Sequence, residues 1–253
     1  MMRKFEKIIE IMRKAFRSDA RRTHIPIMKK RTEKDSRNET DVRVTCRRLS
    51  EFLSVRIGAI QPAREDSRAF GAAIQGIVEE CWAEACARID ALPLPAPGRR
   101  CIHDVACSVD GKAFGLDVRT KDLDEGRYSD GGVCSVSNLL SYIEAGNALL
   151  VAEIAHEADP TDASIRRIVH ARVLPLRVLP GIDELRIENL GTGQIRLDGA
   201  LPDEAACDWS RTEDQLREAV LSAAEKHYVH VARTAMRRAR EMKRLRAPAH
   251  PNA

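Results

Sequence analysis

The chain has 253 residues, 43% of them hydrophobic and 32% charged, with a formal net charge of +4. That length and apolar share suit one large globular domain, or one domain with an irregular arm, and leave room for a sizeable core. The charge is modest, so a nucleic-acid partner has to be argued from where the basic residues lie, and they gather at the two ends.

Several classes drop out at once. Seven cysteines (Cys46, Cys81, Cys86, Cys101, Cys107, Cys134 and Cys207) form no CxxC pair and make an odd count, which speaks against a zinc site or a disulfide framework and for buried thiols in a reducing cytoplasm. No apolar run approaches ~18 residues, and the first sixteen residues carry charges every third or fourth position, unlike a signal peptide, so a soluble cytoplasmic protein with no membrane partner is expected. Without a Walker loop, a GxGxxG fingerprint or a GxSxG elbow, neither nucleotide-driven nor acyl-transfer chemistry is indicated, and no nucleotide cofactor is expected.

In chain order, Phe5, Ile8, Ile9, Met12 and Phe16 fall at helical spacing with basic residues between them. Such a helix packs on its own domain or a dimer partner, or else lies on nucleic acid or a membrane surface. Arg21, Arg22, Lys29, Lys30, Arg31, Lys34 and Arg37 follow without periodicity to about Thr40, a basic arm able to touch phosphates. A helical pattern resumes over Val42–Ile60 and stops at Gln61-Pro62, which makes residues 1–60 a basic helical arm and residues 61–246 the main domain. The next helix starts at Ser67 and runs to Ile89, and Leu92–Gly98 is a proline-rich connector.

The connector leads into Ile102–Val109 and Ala113–Thr120, two β-prone runs around Asp110-Gly111, the strongest short-range hairpin signal. Asp104 lies on the first strand; Asp117, Arg119 and Lys121 on the second share one face because strand side chains alternate. Pairing about Asp110-Gly111 brings Asp104 and Asp117 a short cross-strand distance apart. Like charges so placed repel, and one carboxyl resists ionisation unless a divalent cation sits between them; few, hard oxygen ligands suit Mg²⁺, which completes its shell with water and phosphate.

The glycine-bearing loop after Lys121 offers Arg127 and Tyr128 to phosphate or sugar and Ser135 or Asn138 to the bases. A helix over Leu139–Ala145, a buried strand over Ala148–His156 and a strand region Ile165–Val178, interrupted at Pro175, come next. Leu185–Asn189 and Gln194–Leu197 flank a glycine turn and make a second hairpin, whose Asn189, Thr192, Gln194 and Arg196 are candidate base readers. Ser210 with Glu213 gives a capping-box pattern ahead of a long helix that ends in Arg233, Arg237, Arg238, Arg240, Lys243, Arg244 and Arg246, a phosphate-facing cluster, before a disordered tail over 247–253. The fold class expected is α/β, or α+β by stricter naming: a central mixed sheet flanked by helices with helical N- and C-terminal extensions.

The order of acid, hairpin, acid and basic residues resembles the PD-(D/E)xK nuclease superfamily. Asp117-Val118-Arg119-Thr120 looks like the D-(I/V)-K-T of restriction endonucleases of the HincII and EcoRV kind, and Ser137-Asn138-Leu139-Leu140 and Glu184–Asn189 through Gln194-Ile195-Arg196 resemble segments that follow in the HincII type. The resemblance covers roughly Phe70 to Arg244. It implies a restriction-endonuclease-like core and a Mg²⁺-dependent, site-specific type II deoxyribonuclease, working as a homodimer on double-stranded DNA. Asp104 and Asp117, with the Val118 carbonyl, would then hold the metal. Where the family has lysine this chain has Arg119, which stays charged but cannot exchange a proton; Lys121 is about 7 Å further along the strand. Either Lys121 substitutes, Arg119 suffices, or the site is impaired. The family's helix acid aligns with Gln75, with Glu79 and Glu80 a turn beyond in a structural role. The alternatives are a catalytically degenerate DNA-binding protein on the same fold, a repair or phage-defence nuclease that recognises DNA structure, and an interaction protein with an incidental acidic hairpin.

Overall fold

The computed structural model describes residues 33–58, 67–95, 102–124, 132–162, 165–182, 185–188, 193–197 and 199–245. The chain divides into two compact units, residues 1–38 and 39–253. Residues 33–38 open a helix, α1 (Glu33–Gly58), whose remainder lies in the second unit. The helix buries Cys46, Leu49, Leu53 and Ile57, one face at intervals of three or four residues. It begins nine residues before the expected Val42, counting from Glu33. Elongation from a packed helix adds one hydrogen bond per residue fixed, so the polar tract extends it without an apolar stripe of its own.

Helix α2 (Ser67–Arg88) matches the expected span and buries Phe70, Ile74, Val78, Trp82 and Ala85. Its Trp82 Nε1 donates to the Ala106 carbonyl at 2.7 Å, tying the helix to the sheet. Within the proline-rich connector, Leu92–Pro93 forms a two-residue strand, β1, at the sheet edge, where proline's missing N–H costs no ladder bond.

Strands β2 (Val105–Val109) and β3 (Lys112–Asp122) form the hairpin, closed by Asp110 at φ 50° and Gly111 at φ 78°, the two left-handed residues that a type I′ turn needs. Strand β4 (Gly132–Ser135) runs directly into α3 (Val136–Glu144), and β5 (Ala148–Ala158) returns parallel to β3. Nine consecutive residues of β5 are buried, as a central parallel strand covered on both faces requires. Strand β6 (Arg166–Pro175) completes a five-stranded mixed sheet of order β1-β2-β3-β5-β6, antiparallel except at β3/β5.

A second sheet of order β4-β8-β7 contains the expected second hairpin, β7 (Arg186–Glu188) with β8 (Gln194–Arg196); its turn, 189–192, lies outside the described residues. Helix α1 closes the free edge of β6. Ser50 Oγ accepts from Val173 N at 2.8 Å, and one turn later Ser54 Oγ accepts from Ala171 N at 3.2 Å.

The final helix, α4 (Glu213–Leu245), buries Leu216, Val220 and Ala224 in its first half; Arg233, Arg237, Arg238, Arg240, Lys243 and Arg244 are exposed. Its capping box lies two residues past the expected Ser210/Glu213 pair. Thr212 Oγ1 accepts from Gln215 N at 3.2 Å and Gln215 Oε1 accepts from Thr212 N at 2.8 Å, while Ser210 binds Asp208 and Glu213 binds Arg177. Both frames contain the required spacing, and the Arg177 ion pair takes Glu213 out of the first. Thr212→Ala therefore costs about 1 kcal/mol in urea unfolding, whereas a Ser210→Ala loss of the same size would restore the expected frame. No described helix is long and apolar enough to cross a membrane.

Candidate active site

The β2/β3 ladder closes at Val105↔Leu116; Asp104, one residue outside it, donates its N–H to the Leu116 carbonyl at 2.9 Å, and its charge reaches Asp117 on β3. Here β2 ends and β3 continues to Asp122. Asp104 Oδ2 accepts from Val118 N at 2.7 Å, so its carboxylate takes the place of the departed strand. A strand residue sends its N–H and C=O to the same side, and the Val118 carbonyl therefore points to the side that β2 has vacated, beside the two acids.

Burial, then the nearby Asp104 charge, pushes the Asp117 carboxyl up to about 8, against a smaller opposing pull from Arg119. Asp104 is raised too, first by burial, against the Val118 N–H, with a further push from Glu79. Glu79 of α2 thus comes within electrostatic reach of the pair and is steadied by Gln75 Nε2 donating to its Oε1 at 2.9 Å. Asp117 in turn helps raise the Cys134 thiol, which puts β4 next to the carboxylates.

Two opposed carboxyls in a half-buried setting hold either a shared proton or a cation. Among the described residues no three His, Cys, Asp or Glu side chains gather as a ready metal cage. The donors present, two carboxylates and the Val118 carbonyl, fit Mg²⁺, which binds through one or two carboxylates and keeps several waters.

Arg119 lies on the same face of β3, but the residue is only 9% exposed and its guanidinium is committed to β5. Nη2 donates to Glu153 Oε2 at 2.6 Å and to the Gly199 carbonyl at 2.9 Å. Glu153, fully buried, accepts from Leu201 N at 2.8 Å through its other oxygen. Lys121 is buried two residues further along. Sequence reasoning missed Glu153, although a single acid inside the apolar run Ala148–Ala155 is a signal, because a buried carboxylate needs a cation.

The other expected contacts are partly assembled. Ser135 and Gln194 are register partners across β4 and β8. Ser135 also caps α3, accepting from Asn138 N at 3.3 Å, and Asn138 is exposed in the first turn. Arg196 turns to Glu188 at 3.1 Å. Arg127, Tyr128, Asn189 and Thr192 lie outside the described residues. His156 packs its ring on Phe70 at 4.3 Å, a core contact. No protein-family model matches the chain, and no curated protein matches it.

Proposed function

We propose that the protein is a Mg²⁺-dependent endonuclease that hydrolyses phosphodiester bonds in double-stranded DNA, of the site-specific type II restriction kind and acting as a homodimer. The observation that carries this reading is the cross-strand pair Asp104/Asp117 at the point where β2 leaves β3. Two features support it: the α2–β1–β2–β3–β4–α3–β5 order, within which the helix acid Glu79 comes near the pair, and the exposed basic end of α4. Asp104, Asp117 and the Val118 carbonyl hold the cation, which when bound supplies Lewis-acid polarisation of the phosphate and lowers the pKa of water. The Arg119 charge, steadied by Glu153, offsets the negative charge that develops at phosphorus. The α4 arginines contribute sequence-independent affinity that falls steeply with salt.

Duplex DNA incubated with Mg²⁺ should give discrete fragments, and with EDTA none. Asp117→Asn should cut at least about 10²-fold more slowly, the scale for losing one charge-stabilising group from a site. Intact DNA with salt-sensitive binding retained would overturn the enzyme and favour a second reading, a DNA-binding protein on a nuclease scaffold. The buried Arg119–Glu153 pair, which occupies the cation where the resembled family has a lysine, is what favours that reading.

A further inference from the structure

Only the first half of α4 is held by the core. Leu216, Val220 and Ala224 are buried there, and Tyr228 is the last described side chain of the helix that packs on the core. Its hydroxyl takes the space that a side chain on Gly193 would need. Beyond it Val229, Ala232 and Met236 are partly exposed and are not among the apolar side chains packed against the core; Ala239 and Lys243 are exposed.

These residues belong to one line along the helix. Glu218, Ser222, Glu225, Val229, Ala232, Met236, Ala239 and Lys243 follow one another at alternating steps of four and three, the spacing that keeps a seam turned toward a partner helix. The line is about 38 Å long at ~1.5 Å per residue, and Glu218, Ser222 and Glu225 are exposed at its start as Lys243 is at its end. Glu218 holds Arg217 Nη1 at 3.0 Å, an exposed pair that is exchanged for another at little cost.

Charge selects the occupant. Residues 213–228 carry four acids against two bases, and residues 229–245 carry six bases against one acid. A second α4 laid parallel sets like ends together, whereas one laid antiparallel sets the acidic end on the basic end twice. With Val229 opposite the second copy's Ala232, Ser222 meets its Ala239 and Glu218 meets its Lys243. Glu225 then falls opposite the second copy's Met236, between its Arg233 and Arg240. A nucleic acid, an acidic protein or an anionic membrane suits the basic end of the line but repels Glu218 and Glu225; a second copy suits both ends.

We infer that α4 is the contact surface between two copies of this chain, paired antiparallel along the Glu218–Lys243 line. The pairing needs no DNA; its place in a two-fold enzyme rests on the nuclease reading above. Arg237 and Arg244 lie roughly a third of a turn from the seam and stay open to phosphate in the pair.

Sedimentation equilibrium of the full chain in EDTA, without DNA, tests it. The wild type should form a dimer that salt weakens. Met236→Lys should weaken it at least about tenfold, because the two-fold places two unpaired charges in the seam. Glu218→Lys alone and Lys243→Glu alone should each weaken it about tenfold, and the double reversal should recover wild-type affinity to within about threefold. Those two residues are too far apart on one helix to touch, so the rescue has to run between copies and in the antiparallel sense. Unchanged circular dichroism shows that each variant keeps its fold. A monomer at every concentration, a dimer indifferent to Met236→Lys, or reversals without rescue overturns the pairing. Association only on adding duplex DNA gives the face to nucleic acid and overturns it as well. A dimer without Mg²⁺-dependent cutting of duplex DNA would remove the nuclease and leave the interface; cutting by a monomer would do the reverse.

Discussion

Asp117→Asn should make the cation-free protein more stable at pH 8 to 9 and leave it unchanged below about pH 4. An aspartate ionises near 3.9 in the unfolded chain, but in the fold burial and the Asp104 charge raise Asp117 to about 8. Between those values the native state keeps a proton that the unfolded state has released. Stability is therefore full below the unfolded value and drains away as pH rises through the folded one. Each tenfold difference in proton affinity between the two states is worth ~1.4 kcal/mol; because the carboxyl keeps some solvent, a loss of about 2–3 kcal/mol is the reasonable scale. Asparagine has no proton to lose and escapes it. Mg²⁺ should recover the same stability in the wild type at high pH and none in the variant, since a cation between the two carboxylates replaces the proton. Urea unfolding of both proteins from pH 4 to 9, with EDTA and with Mg²⁺, reads this directly; parallel curves would sink it.

The second large effect concerns Glu153. Its removal by Glu153→Ala strands the buried Arg119 guanidinium and deprives Leu201 N of its acceptor. Breaking a buried ion pair from one side costs about 3–5 kcal/mol, a large share of the 5–15 kcal/mol typical of a domain. The urea midpoint should fall accordingly with the slope unchanged. Arg119→Met with Glu153→Leu should restore part of the loss, because an apolar pair of similar volume avoids the desolvation cost. It cannot restore all of it: Leu201 N loses its acceptor in either variant, and the Gly199 carbonyl loses the Arg119 donor in the double one. A loss under about 1 kcal/mol for Glu153→Ala would mean that the pair is solvated.

The parts of this architecture that were legible in the sequence are those with local causes. Asp110-Gly111 can adopt the two positive φ values of a type I′ turn, so the hairpin, its register and the meeting of Asp104 with Asp117 followed from one dipeptide. Alternation placed Arg119 and Lys121 on the aspartates' face, and the apolar run from Ala148 announced β5. What stayed hidden depended on segments distant in the chain. Nothing near Arg119 shows that Glu153 and the carbonyl of Gly199 claim its guanidinium, and a helical repeat alone does not decide whether Gln75 or Glu79 reaches the carboxylates. The capping box expected at Ser210 failed for the same reason, since the Arg177 that takes Glu213 lies 36 residues before it.

The two serines of α1 on β6 bear on how copies of this chain can meet. An unpaired strand edge is a template for another strand, and it is the usual route to ribbon-like association and aggregation. At β6 the outward N–H groups of Ala171 and Val173 already have Ser54 and Ser50 as acceptors. At the opposite margin β1 is two residues long and carries Pro93, which has no N–H to offer. Continuous growth of the five-stranded sheet is blocked at both margins, so the homodimer proposed above would have to join elsewhere than along the edges of this sheet.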